Sequence, residues 1–389
     1  MSQWPMVKLG DVCTFSSGGT PNRKKPEFYS GAIPWISSAD IDENGNISTR
    51  RYITDEAIQK SSAIVVPQGT LLLVTRTGVG KVAVSQYEVS FSQDITAIEI
   101  NDQNIDKDYL VQTIRHFAAP RLLSKARGAT ILGVKRNDVA NLEIPFPPLE
   151  EQRRIAEILK QSSQQISSAR QKLDHLLMIS LNTMDAHFTA EAVAGDRGWS
   201  QIGDFVISTQ YGTSKKANET QGIPVLRMGN ITYEGELDLK DLKYVELDEL
   251  ERKKFNLKNG DILFNRTNSP ELVGKTTVYD SQSEMTFAGY LVRARTSEDA
   301  HPEYISGFLN SSYGKAYLRN QAKSIVGMAN INAKEFLKIP IPSANESEQG
   351  VFSSLYIHCR SQINLVRKKI TLLEELHQSL ATRAFAGQL

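Results

Sequence analysis

The two halves of this chain repeat the same short motifs in the same order. Each pair lies about half the chain length apart, and only small insertions change the interval. The pairs are Lys8–Val12 with Gln201–Phe205, Ile33–Ile36 with Ile223–Leu226, Gly69–Thr77 with Gly260–Thr267, Val79–Lys81 with Val273–Lys275, Ile144–Pro147 with Ile339–Pro342, Glu151–Gln152 with Glu348–Gln349, and His187–Phe188 with Ala384–Phe385. This period is too long for a solenoid. The sequence therefore predicts one module, present twice.

Inside each copy the residue pattern changes from strand-like to helical. Short apolar and β-branched runs bounded by turn residues predict strands, in the first copy at Ala63–Val66, Leu71–Thr75, Lys81–Val84 and Ile95–Ile100. A helix is expected over Asp108–Phe117, with a counterpart near Pro302–Tyr317, and the apolar, proline-containing strand Glu143–Pro148 closes the domain. We expect an α+β fold of two duplicated, largely β domains, each followed by a long helix.

A narrow apolar stripe with heptad spacing runs along each helical segment. The first begins after a proline followed by carboxylates, which is a helix-start pattern. The stripes are Ile155, Leu159, Ser162, Ile166, Ala169, Leu173, Leu176, Ser180 and Thr183, and Phe352, Tyr356, Cys359, Ile363, Val366, Ile370, Leu373, His377 and Leu380. Such a stripe can pack on its own domain, but two in one chain favour an antiparallel coiled coil. Cys359 and His377 are then core residues rather than ligands.

The composition excludes several classes of protein. The 389 residues include 45 Lys+Arg and 44 Asp+Glu, a net charge of +1, so any nucleic-acid surface must be local. The two cysteines, Cys13 and Cys359, form neither a disulfide framework nor a CxxC metal motif. No apolar run of membrane-spanning length and no signal-peptide core is present. We therefore expect a cytoplasmic protein with no membrane association.

The sequence contains no motif that indicates catalysis. Gly78–Val82 resembles the end of a phosphate-binding loop, but Thr75 replaces its first glycine and Val82 its Ser/Thr, so we expect a strand–turn–strand. The six histidines have no ligand spacing, and no hydrolase, zinc or adenine-methyltransferase motif is found. We expect no catalytic residue, no metal site and no cofactor in this chain.

Two stretches at equivalent places in the copies carry basic residues but no Asp or Glu. They are Tyr109–Asn137 and Tyr304–Lys334, and each contains a loop of small residues, Gly128–Thr130 and Ser324–Gly327. Binding to DNA phosphates needs such local positive charge. The candidates are Arg121, Lys125, Arg127, Lys135 and Arg136 in the first stretch and Lys315, Arg319 and Lys323 in the second. The alternative is a solvated helix face that is basic by chance.

Loops between the predicted strands supply further candidates for DNA contact. They are Arg23, Lys24 and Lys25 in the Ser16–Lys25 loop, Tyr211, Lys215 and Lys216 in the matching loop, and Arg76 and Arg266 after matching strands. Arg, Asn and Lys can read the edges of guanine or adenine, whereas Ser, Thr and Lys mainly contact phosphates. Ordinary solvated loops remain the alternative.

Several of these segments resemble the specificity subunits of type I restriction–modification systems. They are Ile144–Leu159 with its Pro-Pro-Leu-Glu-Glu-Gln junction, the Ser16–Pro21 loop, Gly260–Thr267 and the closing Arg383–Leu389. The resemblance covers the whole chain in the family's duplicated layout. The junction motif is the most specific of these segments.

The resemblance implies a function and a domain plan. Target-recognition domains are expected over 1–148 and 195–343, and helical spacers over 149–194 and 344–389. Each domain would read one half of a bipartite, asymmetric site in double-stranded DNA. The helices, paired as an antiparallel coiled coil, would bind two modification subunits that use S-adenosylmethionine to methylate adenine. Restriction subunits would add translocation driven by ATP, with Mg, and cleavage. This chain itself would be non-catalytic.

One junction departs from the family pattern, and one alternative function stays open. The second junction, Pro342–Gly350, lacks Pro-Pro-Leu, and Gly350 costs about 1 kcal/mol relative to alanine in a helix. That departure puts in doubt how firmly the second helix start docks its partner. The alternative function is a coiled-coil adaptor that binds proteins without DNA specificity, which predicts no salt-sensitive DNA binding.

Overall fold

The chain divides into two compact units. The computed structural model describes residues 3–127, 132–194, 198–321, 323–325 and 328–389, with the backbone alone for 190–194, 323–325 and 328. One unit comprises Met1–Ala169 and Lys369–Leu389, and the other comprises Arg170–Lys368. The predicted loop Gly128–Thr130, part of the loop Ser324–Gly327 and the side chain of Lys323 lie outside the described residues.

The first unit contains ten strands and five short α-helices in its described residues, besides two 3₁₀ turns, Pro26–Tyr29 and Ser38–Asp40. The strands are β1 (Met6–Lys8), β2 (Cys13–Ser17), β3 (Ile33–Ile36), β4 (Arg51–Ile53), β5 (Val65–Val66), β6 (Leu71–Val74), β7 (Val82–Val84), β8 (Val89–Phe91), β9 (Ile95–Ile100) and β10 (Glu143–Pro145). The helices are α1 (Leu9–Val12), α2 (Asp55–Gln59), α3 (Lys107–Thr113), α4 (Ala119–Lys125) and α5 (Arg136–Ala140). The long helix α6 (Leu149–Ala194) follows and continues into the second unit.

The first unit has two four-stranded sheets, and the antiparallel one packs on the other sheet with one face and on the short helices with its other face. One is antiparallel with the order β2-β9-β6-β7, and the other has the order β4-β3-β8-β5 with β3 parallel to β8. Leu71 and Leu73 of β6 pack in one apolar cluster, and Leu72 and Val74 pack in another. Because β6 is buried on both faces, its sequence is uniformly apolar instead of alternating.

The second unit has the following elements in its described residues. The strands are β11 (Trp199–Gln201), β12 (Val206–Tyr211), β13 (Ile223–Leu226), β14 (Lys243–Val245), β15 (Ile262–Asn265), β16 (Thr267–Asn268), β17 (Thr276–Val278), β18 (Thr286–Phe287), β19 (Leu291–Thr296), β20 (Lys323–Ile325), β21 (Met328–Asn330) and β22 (Pro340–Pro342). The helices are α7 (Glu249–Phe255), α8 (Pro302–Asn310), α9 (Ser312–Gln321), α10 (Ala333–Leu337) and α11 (Glu346–Ala386), whose last part belongs to the first unit.

The second unit repeats the sheet topology of the first. Its antiparallel sheet has the order β12-β19-β15-β17, which matches β2-β9-β6-β7 strand for strand. Its second sheet, β14-β13-β18, has three strands instead of four and again contains one parallel pair, β13 with the edge strand β18. A three-stranded sheet, β16-β21-β20, is added next to the end of β15. The same order of connections in both units confirms the duplicated module.

The predicted helices of the acid-free stretches are interrupted. In the first stretch α3 passes into a π-helical turn, Ile114–Ala118, before α4 begins. Pro120 lies in the first turn of α4, a position where its lack of an N–H group leaves no hydrogen bond unmade. In the middle of a continuous α-helix the same proline would remove a backbone hydrogen bond. In the second stretch α8 ends before Ser311 and α9 begins at Ser312. The segment Asp108–Phe117 is therefore helical as predicted but ends in a π-helical turn, whereas the predicted helix near Pro302–Tyr317 is two helices.

A buried glutamine lies in the first turn of each long helix. Gln152 donates through Nε2 to the carbonyl oxygens of Asn104 and Pro147, both at 2.9 Å, and accepts at Oε1 from the backbone N–H of Asp106 at 2.8 Å. Gln349 donates to the carbonyl oxygen of Ala344 at 2.9 Å and accepts from the N–H of His301 at 3.1 Å. The repeated Glu-Gln dipeptide thus ties the helix start to the loop before α3 or α8.

The second junction compensates for its missing prolines. Asn345 and Glu348 form a reciprocal capping box, with both bonds 3.0 Å long. Gly350 is inside α11, and a Cβ atom there would lie 3.3 Å from Nε2 of His301. The helix therefore starts at Glu346 despite the glycine.

The long helices pair in antiparallel fashion within each unit. In the first unit, Ile155 and Leu159 of α6 pack with Ala384 and Phe385 of α11, and Tyr109 joins them. In the second unit, Phe188 of α6 lies 4.9 Å, centroid to centroid, from Phe352 of α11. Every predicted stripe residue is buried or half-buried. The predicted fold class is confirmed, whereas the domain bounds at 148, 194 and 343 stay a prediction. No described helix is both long and apolar enough to cross a bilayer.

Candidate nucleic-acid interface

Four of the predicted basic residues line one cleft in the first unit. Arg76 follows β6, Lys125 ends α4, Arg127 comes two residues later, and Lys135 precedes α5. The cleft has a volume of about 540 Å³, and Gln93, Asp94 and Asp138 also line it. All four cationic side chains are exposed. The structure thus gathers cations that the sequence placed in two separate predictions.

Backbone hydrogen bonds hold the segments around this cleft. The N–H groups of Thr75 and Arg76 donate to the carbonyl oxygen of Asp94, at 2.8 and 3.2 Å. Val134 donates to the carbonyl oxygen of Thr75 at 2.9 Å, and Arg127 and Gly133 form an antiparallel bridge. The turn after β6 therefore has a fixed position between two neighbouring segments.

The loop that precedes β3 is anchored instead of freely flexible. Trp35 donates to the carbonyl oxygen of Gly19 at 3.0 Å, and a Cβ atom on Gly18 would lie 2.2 Å from the carbonyl oxygen of Phe91. The paired glycines are needed because the loop lies against β8. Arg136 donates to Oγ of Ser17 at 2.9 Å and so joins this loop to α5.

The remaining predicted cations of the first unit lie at the surface. Arg23 and Lys24 are exposed, and Nζ of Lys25 lies 5.0 Å from the ring centroid of Phe28. Arg121 stacks on Phe117 at 3.5 Å from the ring centroid and donates to its carbonyl oxygen. Arg121 is therefore exposed but is held against its own helix.

The second unit has a larger cleft beside Arg266, the residue equivalent to Arg76, although most of its lining comes from other segments than in the first unit. This larger cleft has a volume of about 980 Å³ and contains the predicted residues Lys215, Lys216 and Arg266. Two further cations line it that the sequence did not single out, Arg227 and Lys275. Lys275 belongs to the repeated Val-Gly-Lys motif, but its counterpart Lys81 does not line the first cleft, so that motif gave no signal for a DNA contact. Arg227 follows β13 where the first copy has a serine, so the repeat gave no signal.

Several cations of the second cleft are already paired. Lys215 forms an ion pair with Glu251, and Arg227 pairs with Asp241 at 3.0 Å. The guanidinium of Arg266 stacks on Tyr211 at 4.9 Å from the ring centroid, and it donates to the carbonyl oxygen of Gly289 and to Asn330. The Tyr211 hydroxyl accepts from the N–H of Ala333 at 3.1 Å. Arg266 is therefore fixed in the wall of this cleft, with Tyr211 stacked against its guanidinium.

The cations of α9 differ in how far they reach solvent. Lys315 is half-buried, donates to the carbonyl oxygen of Tyr233 at 2.7 Å and lies over the Tyr233 ring. Burial lowers the pKa of Lys315 to about 8, although nearby Glu234 opposes the shift. Arg319 is exposed and bonds only weakly to the carbonyl oxygen of Lys315, at 3.3 Å. The two residues are not equivalent surface charges.

The lysine of the loop that resembles a phosphate-binding loop has a structural role in both units. Lys81 pairs with Glu43 at 3.0 Å, and Lys275 donates to the carbonyl oxygens of Met228 and Ile231. Burial lowers the pKa of Lys275. Both lysines tie the hairpin after β6 or β15 to the loop after β3 or β13. The motif is the predicted strand–turn–strand.

His377 lies in the core of the helix pair as predicted, while Cys359 on the same stripe is half-buried. Within the described parts of the chain, no three His, Cys, Asp or Glu side chains cluster as metal ligands do.

A family model described as the type I restriction modification DNA specificity domain matches residues 1–178 and again residues 198–375. The chain belongs to this family. Each match begins near the start of one copy, so both halves are specificity domains of the same kind. The resemblance inferred from the junction motif is confirmed.

Curated members of the family match along nearly the whole chain. The type I restriction enzyme EcoKI specificity subunit of Escherichia coli strain K12 is 25% identical, with 99% of this chain and 89% of that protein covered. The StySPI specificity subunit of Salmonella potsdam is 24% identical over the same shares. The EcoR124I/EcoR124II specificity subunit of Escherichia coli is 32% identical, over 39% of each chain.

Solved structures of the family share the fold. The S subunit of a type I restriction–modification system from M. genitalium superposes with a TM-score of 0.64 at 13% identity, covering 99% of this chain and 96% of that one. A chain from a structure of the assembly and conformational transition of the type I R-M system gives a TM-score of 0.57 at 20% identity, covering 99% and 98%.

Proposed function

We propose that this chain is the DNA-recognition subunit of a type I restriction–modification complex. Each specificity domain reads one half of a bipartite, asymmetric target through its basic cleft. The observation that carries the proposal is that the two equivalent arginines, Arg76 in one domain and Arg266 in the other, each line a cleft that contains several further cations. Because their linings differ, the two domains would recognise different half-sites.

The helix pair would hold the other subunits of the complex. We propose that α6 and α11 dock two modification subunits, which bind S-adenosylmethionine and methylate adenine, and that restriction subunits supply translocation with ATP and Mg. This chain would contribute recognition and no catalytic group. Such a complex would work in the cytoplasm, where its DNA substrate lies.

Exchange of one domain tests this proposal. We expect that replacing residues 1–145 with the equivalent domain of a relative changes one half of the methylated target and leaves the other half intact. Methylome sequencing of cells that express the complete system measures both halves. Loss of both halves in a complex that still assembles would show that the domains share one recognition surface, contrary to the proposal.

The isolated chain provides the second test. Incubated with DNA and S-adenosylmethionine, it is expected to methylate nothing, whereas addition of the modification subunits restores adenine methylation. Methylation by the chain alone would contradict the assignment of a non-catalytic role. A complex whose DNA binding is insensitive to salt and sequence would favour the protein-binding adaptor instead.

A further inference from the structure

Arg76 and Arg266 occupy equivalent places in the two units but differ in their contacts. Arg266 is held by Tyr211, Gly289 and Asn330. The guanidinium of Arg76 makes no hydrogen bond or ion pair with any residue that the structure describes, and it is exposed in its cleft. The repeat has thus kept the arginine while its environment has diverged. Arg76 is available to a ligand where Arg266 is part of the wall.

The backbone around Arg76 has a fixed conformation. Its own N–H is bonded to the carbonyl oxygen of Asp94, and the next residue, Thr77, donates to the carbonyl oxygen of Leu132 at 3.3 Å. Thr77 has φ +52°, a left-handed conformation that a β-branched residue adopts only when its surroundings impose it. Strain of this kind is concentrated where a side chain must be aimed at a ligand.

Gly133 leaves room for the stem of the Arg76 side chain. A Cβ atom at Gly133 would lie 2.8 Å from Cγ of Arg76 and 3.3 Å from the carbonyl oxygen of Thr75. Any side chain at this position would therefore push the arginine away from its present direction. Gly133 is a positioning residue for Arg76.

The polar groups beside Arg76 favour one base. Arginine offers only donors, and its planar fork matches the N7 and O6 acceptors of guanine in the major groove. Gln93, also in the lining, accepts from the hydroxyl of Thr20 through its Oε1, so its amide N–H groups remain as donors. Asp94, also in the lining, offers a carboxylate that can accept from the N4 amino group of a paired cytosine.

We propose that Arg76 reads a guanine in the half-site of the first domain, through paired hydrogen bonds to O6 and N7. Lys125, Arg127 and Lys135 around it contact the flanking phosphates, which position the duplex without reading its sequence. This assignment rests on the function proposed above and names the residue through which one domain exerts it.

The test is competition binding by the assembled complex, which holds the full chain and its modification subunits. The duplexes carry either the target sequence identified by methylome sequencing or the same sequence with one base pair changed in one half-site. The salt concentration is the same for all. We expect the unmodified complex to prefer guanine at one position by roughly 10- to 100-fold. The Arg76→Ala complex should lose that preference alone, while every other position of both half-sites is still discriminated.

Three variants separate base reading from phosphate binding and from misfolding. Arg76→Lys keeps the charge but not the planar fork, so it should weaken the guanine preference and keep the salt dependence. Lys125→Ala, in the same cleft, should weaken binding to every duplex equally. Gly133→Ala should relax the same position as Arg76→Ala, and combining the two should add little, because both act through one side chain.

Two results would overturn the assignment in distinguishable ways. If Arg76→Ala weakens all duplexes alike and lowers the salt slope, Arg76 is a phosphate contact, and the recognition function stands without it. If the unmodified complex shows no sequence preference at all, the proposed function fails, and the assignment of Arg76 fails with it.

Discussion

His116 and His377 face each other through their Nε2 atoms, which lie 3.2 Å apart in the first unit. His116 belongs to the π-helical turn before α4, and His377 belongs to α11, where its Nδ1 contacts the hydroxyl of Ser162 in α6. Burial lowers the pKa of His377 and lowers the pKa of His116 to about 4, and Arg115 adds to both shifts. Both rings are therefore neutral in the folded chain at pH 7.

This pair should make the folded chain sensitive to acid. A histidine whose pKa falls on folding stabilises the fold fully above its unfolded value of about 6.5, and that contribution is lost as the pH falls towards about 4. We expect the urea midpoint to drop over this window, with a free-energy change on the order of 3 kcal/mol from His116. His116→Gln should flatten the dependence, and His175→Gln, at an exposed position of α6, should not. Equal slopes for His116→Gln and the unmodified chain would contradict the prediction.

Gln152, near the start of α6, should contribute more to the free energy of unfolding than a polar surface residue does. Replacing Gln152 with alanine leaves two carbonyl oxygens and one N–H without their partner, so we expect a loss on the order of 3 kcal/mol. Thermal unfolding followed by circular dichroism measures it. Gln161→Ala is the matched control, because that side chain is exposed on the same helix. Similar melting temperatures for both variants would show that water replaces the lost bonds.

Lys125 and Lys315 should separate in a salt titration, although the sequence presents both as cations of an acid-free stretch. Removing an exposed phosphate contact flattens the slope of log K against log salt by about one, so Lys125→Ala and Arg127→Ala should each do so. Lys315 is bonded to Tyr233, so Lys315→Ala should lower stability and leave the slope unchanged. A reduced slope for Lys315→Ala with unchanged stability would reverse this assignment.

A buried ion pair attaches the second domain to α11. Nε of Arg360 lies 3.4 Å from Oε1 of Glu236, with exposed side-chain fractions of 9% and 5%, and Arg367 reaches the other carboxylate oxygen. Burial raises the pKa of Glu236 even though both guanidinium groups oppose the rise, so its charge depends on them. Arg360→Ala should cost about 3–5 kcal/mol, measured by chemical unfolding. Lys369→Ala, exposed on the same helix, is the control. A loss below about 1 kcal/mol for Arg360→Ala would show that the pair is replaceable.

Periodicity and repetition predicted the parts of the fold that depend on local pattern. The Leu71–Val74 run, the two stripes and the matching motifs led directly to the strands, the helix pair and the duplicated topology. The π-helical turn at Ile114–Ala118 was not foreseen, because an apolar pattern cannot show where one residue is inserted into a helix. The cause of the π-helical turn is Pro120. The effect of that proline can be inferred only once the helix is known to continue beyond Phe117.

The candidate site was predicted less completely than the fold. The acid-free stretch gave Lys125, Arg127 and Lys135, and the matching strands gave Arg76. Neither pattern could show that the four share a cleft, since three separate elements bring them together. The sequence gave no reason to separate Lys315 from Lys125 as phosphate contacts. The position of Lys315 around its helix directs it to Tyr233, and residue type does not show that position. Arg227 escaped notice because the first copy has Ser37 at that position.

The division of both long helices between the two units has a consequence for synthesis on the ribosome. The second unit is one continuous segment, Arg170–Lys368, whereas the first also needs Lys369–Leu389. Until those residues emerge, Tyr109, Ile155 and Leu159 lack Ala384 and Phe385, and the nascent first domain keeps an apolar strip exposed to water. The domain translated first can therefore be completed only last, and a chaperone has the whole translation of the second domain in which to cover that strip.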